Sequence, residues 1–314
     1  MDTRIIGGLE VGAIGLGCMG MTFAYTTGQR DDAESIKVVH RAIDLGVTLI
    51  DTSDVYGPYT NEELVGRALK GRRDEVVLAT KVGLVIPPEG RDGMYRDGRP
   101  EHIRQGVRES LRRLQTDYID LYQLHRVDEK VPLEETWGAM ASLVEEGLVR
   151  AIGLSDVRPA EIEKAHAIHP VATVQNELSL WTRDDEVVEW TAAHDVGFIP
   201  YSPLGRGFLT GRYTSSTEFG ADDFRSRLPR FADGALAANL AIVERVRAVA
   251  DRHGATPGQI ALAWVLAQGD QVVPIPGTKR LTYLEENAGA AAVRLTPEDV
   301  RELNEIPPPV GTRY

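Results

Sequence analysis

Short runs rich in β-branched and aromatic residues alternate along this chain with longer segments whose apolar positions recur at the helical period. The short runs are AIGLG (13 to 17), VTLID (47 to 51), EVVLATK (75 to 81), YIDLYQLH (118 to 125), VRAIGLS (149 to 155), ATVQNE (172 to 177), GFIPYS (197 to 202) and QVVPIPG (271 to 277). Between them the period predicts helices over DAESIKVVHRAIDLG, NEELVGRALK, PEHIRQGVRESLRRL, PLEETWGAMASLVEEG, RPAEIEKAHAIH and DDEVVEWTAAHDVG, then helix pairs after 235 and after 279. Asn61 is expected to cap the second helix ahead of Glu62 and Glu63, and Gly46, Gly147 and Gly197 to stop helices.

Strictly alternating strands and helices demand a parallel sheet, because parallel neighbours need crossover connections. Eight such units predict an α/β fold, a (β/α)8 TIM barrel, with residues 1–314 as a single domain. The opening RIIGGLEVGAIGLG predicts an N-terminal β-hairpin across the barrel floor. The stretch 203 to 235 predicts a long loop after strand seven, of a length that is usually functional and often a lid. In such a barrel the carboxyl ends of the strands face one pocket, which selects Asp51, Lys81, His125, Ser155, Gln175, Tyr201 and Gly277.

Composition narrows the partners. A formal charge of -12 repels polyanions, so no nucleic acid or anionic membrane is expected, and a phosphate ligand must be small. No stretch reaches the length of a membrane span, and the glycine-rich start, broken by Glu10, does not read as a signal peptide. The one cysteine, Cys18, permits no internal disulfide, which fits a cytoplasmic protein. His40, His102, His166, His169, His194 and His253 fall on helices or their flanks and are read as surface or capping residues, so no metal cluster is expected.

The run LIDTSDVYG, 49 to 57, begins like a buried strand and ends in two carboxylates and a phenol, groups that need partners or a site. A tyrosine with a pKa of ~10 becomes a proton donor near neutrality when an ammonium stabilises its phenolate. Lys81 supplies that ammonium, Asp51 keeps it charged, and His125 orients a substrate oxygen or relays its proton. Tyr56, Lys81, Asp51 and His125 together suit protonation of a carbonyl. Each also has a structural reading, as rim aromatic, ion pair or satisfied polar residue; convergence at adjacent strand ends favours chemistry.

A proton donor needs a nucleophile beside it, and the last strand points to a hydride carrier. PGTKR sets a turn before a helix, where free amides and the dipole favour phosphate, and Lys279 and Arg280 add charge there. YSPLGRGFLTG offers glycines for close approach to a pyrophosphate. GLGCMG, 15 to 20, matches a dinucleotide fingerprint, but no helix opens at Gly20 and Asp51 comes too late for a ribose partner. Its glycines are read instead as letting the first loop lie flat against a ligand.

With DTSDVYG, ATKVG, LHR, GLS, QNELSLW, YSPLGRGFLTG and IPGTKRLTYLEEN in order over nearly its whole length, the chain resembles an aldo-keto reductase. The resemblance implies carbonyl reduction with NAD(P)H, read here as NADPH (NADP) from Lys279 and Arg280, a tetrad of Asp51, Tyr56, Lys81 and His125, and Tyr56 as general acid. It implies that Ser155 and Gln175 hold the carboxamide, that Tyr201 stacks on the nicotinamide, and that Ser202, Leu204 and Gly207 line the pyrophosphate. Thr278, Lys279 and Arg280 would meet the ribose phosphate, with Glu286 and Asn287 near the adenine; Met19, Ile275 and Gly277 complete the expected cofactor pocket. Asp156 stands where many members have Asn, and Tyr283 where many have Arg, so the 2′-phosphate preference rests on Lys279 and Arg280. Met19, Phe23, Tyr25 and Trp181 are candidate walls for a small carbonyl substrate. Two other readings are a regulatory subunit resembling potassium-channel beta subunits and an aldolase-like enzyme using Lys81 as a Schiff-base nucleophile; the latter leaves YSPLGRG and PGTKR unexplained.

Overall fold

A computed structural model describes residues 1–25, 30–90, 93–221, 223–232 and 234–313. Its strands are β1 (Thr3–Ile6), β2 (Leu9–Gly12), β3 (Leu16–Gly17), β4 (Leu49–Asp51), β5 (Val77–Val82), β6 (Leu84–Val85), β7 (Tyr95–Arg96), β8 (Ile119–Leu124), β9 (Val149–Ser155), β10 (Thr173–Gln175) and β11 (Gly197–Phe198). The helices are α1 (Asp32–Asp44), α2 (Thr60–Leu69), α3 (Pro100–Leu114), α4 (Leu133–Glu145), α5 (Pro159–His166), α6 (Asp185–Ala193), α7 (Ala235–His253), α8 (Pro257–Leu266), α9 (Leu281–Gly289) and α10 (Pro297–Asn304). Proline opens α3, α5, α8 and α10, where its fixed φ suits the first turn and its missing N–H costs nothing.

Seven strands form one curled parallel sheet in the order β11-β10-β9-β8-β5-β4-β3. The middle strands are covered on both faces; all six residues of β8 are buried, Asp120 and Gln123 among them, and β5 buries Thr80 and Lys81. The helices cover the outer face, α1 through Val38, Val39, Ala42 and Ile43 and α3 through Ile103, Val107 and Leu114. The inner face is filled by Leu49, Ala79, Leu121, Ile199, Val273 and Ile275 together with Ile6 and Val11 of the β1–β2 pair.

The eighth run, 271 to 277, is extended without being a regular strand, and its prolines are the reason. Pro274 and Pro276 have no N–H to give, so the ladder is reduced to alternate bonds. Val273 N and Ile275 N donate to Phe198 O (2.8 Å) and Pro200 O (3.1 Å), while Pro274 O and Pro276 O accept from Gly15 N (2.9 Å) and Gly17 N (3.4 Å). The run thus bonds to both edge strands. β1 and β2 pair antiparallel, with Thr3 opposite Gly12.

Two local expectations are corrected. Asn61 does not cap α2: Tyr59 holds that position, and Asn61 lies inside the helix, buried, accepting from Thr52 Oγ1 (2.6 Å) and donating to Cys18 O (3.0 Å) and Thr22 Oγ1 (2.8 Å). Gly46 and Gly147 turn at positive φ after their helices, but Gly197 does not; left-handed Asp195 ends α6, and Gly197 opens β11 where a Cβ would stand 2.5 Å from Ile6 Cβ. In GLGCMG a Cβ would lie 2.9 Å from Ile275 Cγ2 at Gly15 and 2.9 Å from Ile275 O at Gly17, and, as expected, no helix opens at Gly20: the motif runs into a short 3₁₀ turn, Met19–Met21.

Candidate active site

At the end of β5 the Lys81 side chain is wholly buried, and its Nζ donates to Asp51 Oδ1 (2.5 Å), at the end of neighbouring β4, and to Thr52 O (2.8 Å). The second Asp51 oxygen accepts from Gln175 Nε2 (2.8 Å) and Gln123 Nε2 (3.2 Å). A carboxylate with this many donors compensates a buried ammonium. Burial alone would lower the Lys81 pKa, but Asp51 and then Tyr56 outweigh it, and the ammonium is held above its usual range.

The turn after β4 carries Tyr56 over this pair. Lys81 Nζ lies 5.3 Å from the centre of the Tyr56 ring, and the His125 ring meets Tyr56 edge-on at 5.9 Å. The ammonium pulls the phenol pKa down by charge and by a hydrogen bond; burial pushes it up by more, so the phenol keeps its proton. Val55, Leu84 and Ile86, with Met19 and Phe23 beside them, make an apolar wall around it. His125, at the end of β8, is held neutral: burial, then Lys81 and Arg126, push its imidazole well below the usual range. The four expected tetrad residues therefore meet, brought together by the adjacency of β4, β5 and β8.

The remaining candidates occupy the rim more unevenly. Ser155, buried at the end of β9, accepts from Arg126 Nη1 (3.2 Å). Gln175 is turned inward to Asp51. Tyr201 donates to Asp156 Oδ1 (3.2 Å) and is met by Arg313. Asp156, with φ of 57°, is paired with Arg126 (3.2 Å) and Arg313 (3.1 Å); burial would raise its carboxyl, but the two guanidiniums hold it below the usual range. Ser202 and Gly207 have positive φ, and Leu204 caps the 3₁₀ turn Gly205–Thr210. Ile275 lines the sheet interior and Gly277 bridges to Gly17.

The start of α9 gathers cations. Lys279 is pushed down by burial and by the neighbouring Arg280, and Arg280, as N-cap, gives the helix no side-chain cap. Thr278 Oγ1 accepts from Arg280 N (3.1 Å) and shapes the turn. Like charges at the positive end of a helix fit an anion placed between them. Further along, Glu286 accepts from Thr256 Oγ1 (2.8 Å) and Arg212 (3.4 Å), and Asn287 is buried beside it. These groups fit a phosphorylated nucleotide.

Several side chains here are not legible from spacing. Arg212 stands 3.5 Å over the Tyr283 ring, a guanidinium beside the position where many members have Arg. Gln123, Ser53 and Arg126 are reached from neighbouring strand ends, and Arg126 had a signal only in following His125. Arg313, close to the last residue of the sequence, carries none. Among the described residues no group of His, Cys, Asp and Glu is arranged to hold a metal, and no helix is long and apolar enough to cross a membrane.

The profile of the Aldo/keto reductase family matches residues 13–307. The chain belongs to that family. It is 46% identical over 313 residues to "Probable aldo-keto reductase 1" of Glycine max, covering 98% of this chain and 89% of that protein. Among solved structures it resembles a glycerol dehydrogenase from Gluconobacter oxydans (TM-score 0.89, 32% identity, 97% of this chain and 94% of that one). It also resembles an aldo-keto reductase from Bacillus halodurans in its holo form (TM-score 0.80, 28% identity, 100% and 98%). This aldo-keto reductase is an oxidoreductase, and its family uses a nicotinamide nucleotide, NAD(P)H.

Proposed function

We propose that this aldo-keto reductase reduces aldehyde or ketone carbonyls of small molecules to alcohols with NADPH, and that Tyr56 is the general acid. The observation that carries the reading is the buried Lys81 ammonium, held charged by Asp51 beneath a Tyr56 phenol that keeps its proton. A Schiff-base nucleophile needs a neutral amine, so this arrangement favours reduction over aldolase-like chemistry.

When bound, the nicotinamide nucleotide would supply a hydride. Tyr56 gives its proton to the carbonyl oxygen as negative charge builds there, and Lys81 stabilises the phenolate left behind. Asp51 keeps Lys81 protonated, and His125 orients the oxygen. The apolar wall of Val55, Leu84 and Ile86 excludes water, which strengthens the Lys81–Tyr56 interaction. Ser155, Gln175, Tyr201, Ser202, Leu204, Gly207, Met19, Ile275 and Gly277 would hold the nicotinamide and pyrophosphate, Thr278, Lys279 and Arg280 the 2′-phosphate, and Glu286 and Asn287 the adenine. Arg212 over Tyr283 adds a cation on that side and supports NADPH over NADH. We also read the fold as a closed (β/α)8 barrel and one domain, because the run 271 to 277 bonds to both edges of the sheet.

Tyr56→Phe removes only the hydroxyl, so turnover should fall by about 10²- to 10⁴-fold while NADPH still quenches tryptophan fluorescence. Unchanged turnover would remove Tyr56 from the role of acid.

A further inference from the structure

Behind His125 lies a short chain of polar groups that the reaction as described does not use. Ser53 Oγ lies 3.1 Å from Asp54 Oδ1 and 3.1 Å from His125 Nδ1, and all three side chains are buried. Ser53 has one hydroxyl proton, so it can donate in only one direction at a time. When Asp54 is ionised, Ser53 donates to the carboxylate; Nδ1 of the neutral imidazole then carries the hydrogen, and Nε2 is bare. When Asp54 carries a proton, it donates to Ser53, Ser53 donates to Nδ1, and Nε2 carries the hydrogen. Nδ1 is occupied by Ser53 in both states, which leaves Nε2 as the ring nitrogen for a ligand. Only the protonated chain gives that nitrogen a hydrogen to donate to a carbonyl oxygen.

We propose that Asp54, acting through Ser53, is a positioning residue that sets the tautomer of His125: protonated it holds Nε2–H, and ionised it withdraws that donor. The surroundings put the change in an accessible range. Burial and then Glu62 push the Asp54 carboxyl up to about 8, against opposing bonds from Ser53 and Val55 N and the charge of Arg113. Glu62 of α2 is itself bound to Arg113 of α3 and Thr80 of β5, both at 2.6 Å. Tyr122 of β8 and Tyr59 also face Asp54, and burial keeps both phenols protonated. On the other side burial, and then the Lys81 and Arg126 charges that face it, keep the His125 ring uncharged, so its tautomer is a two-state quantity.

The consequence for catalysis rests on the reductase reading, but the tautomer does not, and it is read on coenzyme-free protein. Ring-¹⁵N-labelled histidine would be followed by NMR from pH 6 to 10, with His125 identified by the signal lost in His125→Gln. We expect a change from Nε2–H to Nδ1–H with a midpoint near 8, absent in Ser53→Ala and in Asp54→Asn. One tautomer throughout, or the same change in both variants, would overturn the proposal. The high-pH limb of kcat should vanish in Asp54→Asn; a limb that persists while the tautomer switch is lost would count against His125 as the orienting group and leave the Asp54–Ser53 device standing.

Discussion

Holding a carboxyl as deeply buried as that of Asp54 makes its proton part of the folding equilibrium. Its folded pKa, pushed up to about 8 by burial and then by Glu62, lies above the ordinary carboxylate value of 3.8, so the native state binds more protons between those values. Stability therefore falls as pH rises through that window, by up to about 1.4 kcal/mol per pH unit, and is level above it. Asp54→Asn removes the loss: its melting temperature should exceed that of the parent by a margin that widens from pH 5 to 8. A constant margin would show that the titration belongs elsewhere. That Asp51, Lys81, His125 and Tyr56 would meet was legible because alternation assigns the first three to strand ends, and Tyr56 follows in the same run as Asp51. The contacts that tune them were not. Gln123 and Gln175 reach Asp51 only through the lateral register of β8 and β10, and Ser53 reaches His125 across 72 positions of sequence. Spacing carries no information about such cross-strand contacts.

Among the elements, the turn into α9 has the sharpest consequence for coenzyme choice. Two cations at a helix N-terminus oppose the dipole unless an anion sits between them. Changing Lys279 and Arg280 together to Ala should weaken NADPH, measured by fluorescence quenching, by at least about tenfold more than NADH, each lost charge-assisted bond being worth about 1.5 kcal/mol or more. Equal losses would contradict the phosphate assignment. α9 itself was readable from PGTKR and the period that follows. The preceding run was readable as extended chain but not as the irregular seam it is, because its two prolines remove donors that a β pattern takes for granted. α2 misled for a related reason: Asn61 has the chemistry of a cap, but its amide has better partners in Thr52, Cys18 and Thr22.

The whole molecule depends on the close approach of segments far apart in sequence, and glycines mark where. At Gly197 a Cβ would meet Ile6 Cβ at 2.5 Å and Cγ2 at 3.0 Å, so Gly197→Ala should cost about 1–3 kcal/mol by overpacking. Gly138, inside α4, has open space around it, and Gly138→Ala should stabilise by about 0.4–1 kcal/mol. Urea titrations of the two variants test this pair; similar effects would mean that β1 does not press on β11 in solution. Parallel alternation and the curled sheet were visible in the sequence. The approach of Arg313 to Asp156 and Tyr201 was not, since nothing local distinguishes that residue from any other near the end of the sequence.

The proposed reduction requires that Lys81 remain an ammonium beside the carbonyl while the bound coenzyme would supply the hydride. Turnover of a panel of aldehydes and ketones with NADPH deuterated at the reactive carbon tests it most directly, with the products read by mass spectrometry. One deuterium is expected on the carbinol carbon of every reduced product, with no substrate trapped on Lys81 by borohydride. Alcohol lacking the label, or a borohydride-stable adduct on Lys81, would contradict it.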